Sequence, residues 1–172
     1  VTQFSVSVVM IIGTLVVFRQ IQFTKDRPLG YESNGIITIP QYTTGINNRL
    51  EAVKTELEKT GSAVSVAFSD SPLTGIWSST SGLDWPGKDP NLAIDFLSER
   101  VSHEYGKTIN WQIISGRDFS KDFASDSTAV VLNEAAAKFM GLQNPIGEIM
   151  KWFGDPYKII GISKDMVMQS PY

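Results

Sequence analysis

Cysteine is absent from these 172 residues, and histidine occurs once. The first absence excludes a disulfide framework, thiolate zinc sites, CxxC redox chemistry and a cysteine nucleophile, although it does not fix a compartment. The second leaves little room for histidine-based metal or triad chemistry. Basic charge is also scarce: 15 Lys+Arg against 18 Asp+Glu give −3, which argues against a protein that coats nucleic acid or anionic lipid. These counts disfavour an enzyme. What is present is ordinary for a folded chain. With 42% apolar and 19% charged residues, wholesale disorder is out, and the length allows one medium domain or two small ones.

The averages hide an uneven chain. From Phe4 to Phe18 there is no charge, and as a helix this run covers about 22 Å, short of the ~30 Å hydrocarbon core. The chain opens on Val1 rather than Met, so a membrane span whose start has been cut away is expected. Gly13, Ser5 and Ser7 suit close helix contacts in a membrane. A signal peptide would want a small-residue cleavage site where Arg19-Gln20-Ile21-Gln22 stands, and a buried core helix would want a stronger polar stripe. No breaker follows until Pro28 and Gly30, so the helix is expected to continue through Lys25 as a stalk before the chain turns. Arg19, Lys25 and Arg27 do not settle its orientation. From Asn34 onward, 12 Lys+Arg and 16 Asp+Glu leave the remainder at −4.

That remainder reads as α+β. Gly35–Pro40 is a short strand, Ile46, Leu50, Val53 and Leu57 form the stripe of an amphipathic helix, and Val64, Val66 and Phe68 alternate as a second strand. Thr43 or Thr44 can cap the helix, and Gly61 stands where a C′ glycine belongs. Together these make a β-α-β unit. Ser69–Pro90 is a polar excursion that includes Trp77 and Trp85. Then come a strand over Leu92–Phe96, a helix over Glu99–Tyr105 closed by Gly106, and a strand over Ile109–Ile114. After a polar loop, Ala129–Leu132 is a strand, Asn133 caps a helix over Glu134–Met140, and Gly141 stops it. Glu148–Trp152 and Tyr157–Ile162 form a hairpin around Phe153-Gly154-Asp155-Pro156.

Reactive constellations are hard to find. Gly82 to Lys88 matches GxxxxGK, but Asp89 replaces the hydroxyl residue and the flanks are loop-like, so it is not a phosphate loop. His103 has no serine elbow to serve and reads as a surface histidine. Asp118, Asp122 and Asp126 are spaced by four, without the alternate ligands and glycine of a calcium loop. Nothing nominates two of the sixteen acids as a glycosidase pair. Trp111 and Trp152 belong to strands. Trp77 and Trp85, in the excursion, are candidates either for a partner-contact surface or for local packing.

Several motifs then occur in a fixed order: Gly116-Arg117-Asp118-Phe119; Ala129 through Asn133 to Lys138-Phe139-Met140-Gly141; Asn144-Pro145-Ile146-Gly147; and Tyr157 through Gly161 to Ser163-Lys164-Asp165. This set resembles the periplasmic core domain of MacB-type ABC transporter permeases, the family with FtsX-like membrane regions. Arg19-Gln20-Ile21-Gln22 and Pro28-Leu29-Gly30-Tyr31 look like the Bacteroidetes versions. The resemblance implies a membrane and stalk helix over 1–33 and an extracytoplasmic domain over 34–172. That domain would comprise a porter-like portion, mainly 34–115, and a second β-rich portion, mainly 116–172. It implies an inner-membrane permease, working as a dimer, that couples a separate cytoplasmic ATPase to export or to a periplasmic partner. The membrane is reached through residues 4–18, and no nucleic acid and no cofactor in this domain are expected. Ser170-Pro171-Tyr172 is expected just before a second span. Gly116, Arg117, Phe119, Asn133, Gly141, Pro145, Gly147, Gly161, Lys164 and Asp165 read as scaffold residues. The rival reading is a ligand-sensing receptor domain, for which Trp77 and Trp85 would converge on a pocket.

Overall fold

The structure, a computed structural model, describes residues 2–41 and 49–168. It divides into a unit ending at Pro28 and one beginning at Leu29. The first is a single helix, α1 (Thr2–Lys25). An 18-residue stretch within Gln3–Thr24 has a mean hydropathy of 2.0, and the 22 residues cover about 33 Å, long enough for a bilayer core. Its apolar side chains are exposed on every side. The Ser7, Thr14 and Thr24 hydroxyls donate to the carbonyls four residues back, at 3.0, 2.8 and 2.9 Å, which satisfies them inside the helix. The apolar run and the stalk are thus one uninterrupted helix.

The second unit is built around a nine-residue strand. The elements in order are α2 (Leu50–Lys59), β1 (Ser79–Thr80), β2 (Leu83–Asp84), β3 (Phe96–Leu97), α3 (Tyr105–Ile109), β4 (Ile113–Gly116), a 3₁₀ turn (Ala124–Thr128), β5 (Ala129–Asn133), α4 (Glu134–Phe139), β6 (Ile149–Trp152) and β7 (Asp155–Ser163). Lys158 of β7 is flanked by Ala129 on one side and Ile149 on the other. Further along, Gly161 to Ser163 lie between β5 and β4. So β5 runs parallel along one edge of β7, while β6 and then β4 follow one another antiparallel along the other. β2 extends the sheet beyond β6. The β5 register passes from Ile159 to Gly161, skipping Ile160, and β7 is buried continuously from Ile159 to Ser163.

Local chemistry explains the best-formed parts. Asn133 Oδ1 accepts from the Ala136 amide at 3.0 Å and starts α4. Gly141, at φ +70°, ends it. Phe153 and Gly154 form a two-residue hairpin loop with φ of +49° and +96°, so Asp155 and Pro156 belong to β7 rather than to the turn. The core lies between α4 and the sheet: Ala137 and Met140 meet Leu132, Met150, Ile159 and Ile162, with Leu83 and Trp85 at one side.

Several sequence expectations fail here. Residues 35–40 and 64–68 form no strand, and Ile37 is 84% exposed. The expected β-α-β unit therefore keeps its helix without a ladder beside it. Only Phe68 to Asp70 pair locally, with Arg100 to Ser102. The capping positions Thr43 and Thr44 and the stripe residue Ile46 lie outside the described residues. The helix expected over 99–105 begins only at Tyr105, and Gly106 lies within it. A β-carbon at Gly106 would sit 2.0 Å from Trp111 Nε1 and 2.1 Å from Asp118 Oδ2, so close packing, rather than a helix stop, requires glycine there. Asn110, at φ +51°, closes this helix instead. The strands expected over 92–96 and 109–114 shrink or shift to Phe96–Leu97 and Ile113–Gly116.

Candidate functional site

The motif residues assemble as crossings and caps. Gly116, at φ +73°, and Gly161 face each other where β4 meets β7. A β-carbon on the first would lie 2.3 Å from the Ile160 carbonyl, and one on the second 2.2 Å from the Arg117 carbonyl. Arg117 leaves this crossing to grip the buried Asp126 with two hydrogen bonds of 2.6 Å. Those bonds hold the Asp126 carboxyl below its ordinary range. The guanidinium also stands 4.0 Å from the Phe123 ring. Asp118 accepts from Trp111 Nε1 at 2.9 Å, and Phe119 lies tilted against the Trp111 ring. The Pro145 carbonyl accepts from the Glu148 amide, and the Gly147 amide donates to Ile159 at 2.8 Å, docking that turn on β7. Lys164 donates its amide to Gln112, and Asp165 Oδ1 accepts from the Ala135 amide at 3.0 Å. The ten residues thus sit at turns, strand crossings and helix caps, or, as Arg117, Phe119 and Lys164 do, in the polar, ring and backbone contacts beside them.

The two loop tryptophans part company. Trp85, 6% exposed, is a core residue whose Nε1 donates to the Met140 carbonyl at 3.2 Å and whose ring meets Phe96 edge-on. Trp77 is 75% exposed. They do not converge on a pocket, and burial takes Trp85 out of the candidate contact surface.

Other candidates are engaged locally. Lys88 Nζ donates to the Leu83 carbonyl at 2.5 Å and stands 5.0 Å from the Trp85 ring, so the GxxxxGK lysine is occupied and β2 runs through the segment. The shallow cleft beside it, about 320 Å³, is lined by Gly82, Lys88, Leu92, Ile94 and Asp95. The three spaced aspartates diverge to Trp111, Ser120 and Arg117. No cluster of three acidic or imidazole groups able to hold a metal occurs among the described residues.

Two polar clusters escaped sequence reasoning. Glu104 Oε1 accepts from both Lys54 and Lys121, and Lys121 also reaches Glu51 at 3.3 Å. Burial alone would raise the Glu104 carboxyl, but hydrogen bonds from Lys121 and Lys54 bring it down to about 2. Glu99 goes the other way. Burial pushes it up to about 7, aided by nearby Asp70, although Tyr105 Oη donates to both of its oxygens at 3.1 Å. The partners lie up to 70 residues apart, as in Glu51 and Lys121, so no local signal marks them.

Comparison with known proteins fits this scaffold. The chain is similar to the solved periplasmic region of MacB from Actinobacillus actinomycetemcomitans, with 21% identity and a TM-score of 0.50 over 74% of this chain and 59% of that one. That likeness bears on the fold, and the chain spans less than two thirds of the MacB region. It is also similar to a domain of a putative permease protein from Porphyromonas gingivalis (15% identity, TM-score 0.42, covering 59% of this chain and 43% of that one). A third likeness is to the extracellular domain of the ABC-type transporter YknZ from Gram-positive bacteria (21% identity, TM-score 0.38, 58% of each chain). No curated protein matches. The MacB-like periplasmic core domain family matches over residues 4–171. With almost the whole sequence inside that match, the chain belongs to the MacB-like periplasmic core domain family.

Proposed function

We propose that this chain is the extracytoplasmic domain, with its leading membrane helix, of an ABC transporter permease. A separate cytoplasmic ATPase drives it, and the domain passes the resulting movement to a substrate or a periplasmic partner. The family match over residues 4–171 carries this reading, supported by a continuous apolar helix that leads into the domain. The domain has no catalysis or cofactor of its own in this scheme, and ATP is used on the other subunit. The permease sits in the inner membrane as a dimer, with residues 34–172 outside the cytoplasm. Within it, 34–115 serve as the porter-like portion and 116–172 as the β-rich portion. The receptor reading has no observation in its favour, since Trp77 and Trp85 lie in unlike settings.

No cysteine occurs in these 172 residues, so an introduced cysteine is the one thiol in this domain, and the same labelling of the unsubstituted protein reports any thiol elsewhere in the full-length permease. Val64 is fully exposed. In the full-length protein, Val64→Cys should react with a membrane-impermeant maleimide in intact cells whose outer membrane has been permeabilised. Labelling only after lysis would place the domain in the cytoplasm and sink the reading.

A further inference from the structure

We propose that Asp165 is a positioning residue that couples the segment arriving from the helix, Leu29–Gly30, to the N-terminus of α4. The proposal gives the force-coupled domain described above a specific joint, and in that sense rests on that reading. Two observations fall on this residue and two on its neighbours in the strap.

First, Gly30 adopts φ +81°, and a β-carbon there would lie 2.4 Å from the Asp165 carbonyl oxygen and 3.1 Å from the Met166 α-carbon. Only glycine lets the two backbones cross at this separation. Second, the Leu29 carbonyl accepts from the Val167 amide at 2.9 Å, so the crossing is held by a hydrogen bond as well as by contact. Third, the Asp165 side chain accepts from the Ala135 amide at 3.0 Å, in the first turn of α4. A carboxylate is favoured there by the free amides and the helix dipole. Fourth, the neighbouring Lys164 amide donates to Gln112 at 2.8 Å, which fixes the strap immediately after β7.

The backbone of Asp165 thus touches one partner and its side chain another. A displacement reaching Leu29–Gly30 moves the Asp165 peptide directly, and with it the carboxylate on Ala135. From there the route continues into packed core, because Ala137 and Met140, at the other end of α4, lie against Leu132, Met150 and Ile159. Asn133 holds the next amide, Ala136, independently of the strap. The joint therefore works by tilting the first turn rather than by releasing the helix. A cap that serves only local stability makes no claim on Gly30, and this separates the two roles.

The test is a double-mutant cycle read by amide hydrogen exchange in the full chain in detergent micelles. Gly30→Ala forces a methyl group against the Asp165 carbonyl. With Asp165 present it should speed exchange at Ala135 and Ala136 roughly fivefold, within the range that touching residues show. In an Asp165→Ala background the same substitution should change exchange there by less than about 1.5-fold. Asp165→Asn, which keeps an acceptor, should preserve the response. Unchanged α4 exchange in Gly30→Ala, or effects of the two substitutions that simply multiply, overturns the proposal. If Gly30→Ala does not fold, the reciprocal measurement decides. Asp165→Ala should speed exchange of the Val167 amide, which bonds Leu29, and an unaltered Val167 overturns the coupling. None of these readouts needs an ATPase or a membrane orientation, so their failure is distinct from failure of the maleimide labelling.

Discussion

Glu99 and Glu104 lie on either side of one short turn and answer burial in opposite directions. Glu99 is half-buried and faces Asp70, with only the Tyr105 and Ser69 hydroxyls to help its anion, so its carboxyl rises to about 7 from an ordinary 4.5. Glu104 is held by two ammonium groups and falls to about 2. Each shift marks its own pH window. The folded state binds the Glu99 proton more tightly than the unfolded state does. That contribution is complete below 4.5 and disappears as pH rises through 7. The Glu104 contribution is present above 4.5 and disappears as pH falls towards 2, so it is constant across the neutral range. Between pH 5 and 8, Glu99 should therefore cost the protein about 1–2 kcal/mol of unfolding free energy, after allowing for solvent screening at a half-buried site. Urea titrations at the two pH values should show this drop in the native chain, and Glu99→Gln should remove it. An undiminished drop in Glu99→Gln would assign the effect to another group. Nothing in the sequence singled out Glu99, because Asp70 and Ser69 reach it from 29 and 30 residues away. The Asn133 cap, by contrast, was legible, since a cap and its helix are neighbours in the chain.

The same distinction holds among elements. α4, its stop at Gly141 and the β6–β7 hairpin were readable because their determinants are local: a cap, a left-handed glycine and a two-residue loop. The strand expected over 35–40 had apolar residues ended by a proline and that over 64–68 had alternation, but a strand forms only when a partner supplies its ladder, and neither pattern says anything about a partner. α2 shows what this means energetically. Its apolar stripe is there, yet Val53 is exposed and Lys54 is its one buried side chain. What fastens it is the lysine–glutamate network of Lys54, Glu104, Lys121 and Glu51. The exposed Lys121 contacts to Glu51 and Glu104 should weaken with salt, whereas the buried Lys54–Glu104 pair is screened much less. Raising NaCl from roughly 0.05 M to about 1 M, where the Debye length is ~3 Å, should speed exchange of the α2 amides several-fold and leave α4 nearly unchanged. Glu104→Gln should reproduce the change at low salt. Equal salt responses in α2 and α4 would show that the Lys121 contacts do not fasten α2, and an unchanged α2 in Glu104→Gln would show the same of the buried pair.

At the scale of the whole molecule, two kinds of surface meet different demands. α1 is apolar on every side and contributes no side chain to the core. A helix apolar all round is stable in water only if it is covered, and a bilayer can cover it completely. The unit from Leu29 onward has its own core, centred on Ile159, and its own crossings at Gly116 and Gly161. The composition blended these two parts into one mild average, and only the uneven placement of charge separated them. Membrane affinity and fold should therefore separate experimentally at Pro28. The chain lacking residues 1–28 should unfold cooperatively with a Tm within about 5 °C of the intact protein, since every residue of the core cluster belongs to the unit from Leu29 onward. On warming a Triton X-114 solution past its cloud point, the intact chain should enter the detergent phase and the shortened chain should stay in the aqueous phase. Ile37, Ile39 and Trp77 remain exposed in the shortened chain, but as scattered side chains rather than a span. Loss of the cooperative transition would mean that the helix is needed to build the domain. Entry of the shortened chain into the detergent phase would mean that the membrane contact extends past Pro28 onto the domain itself.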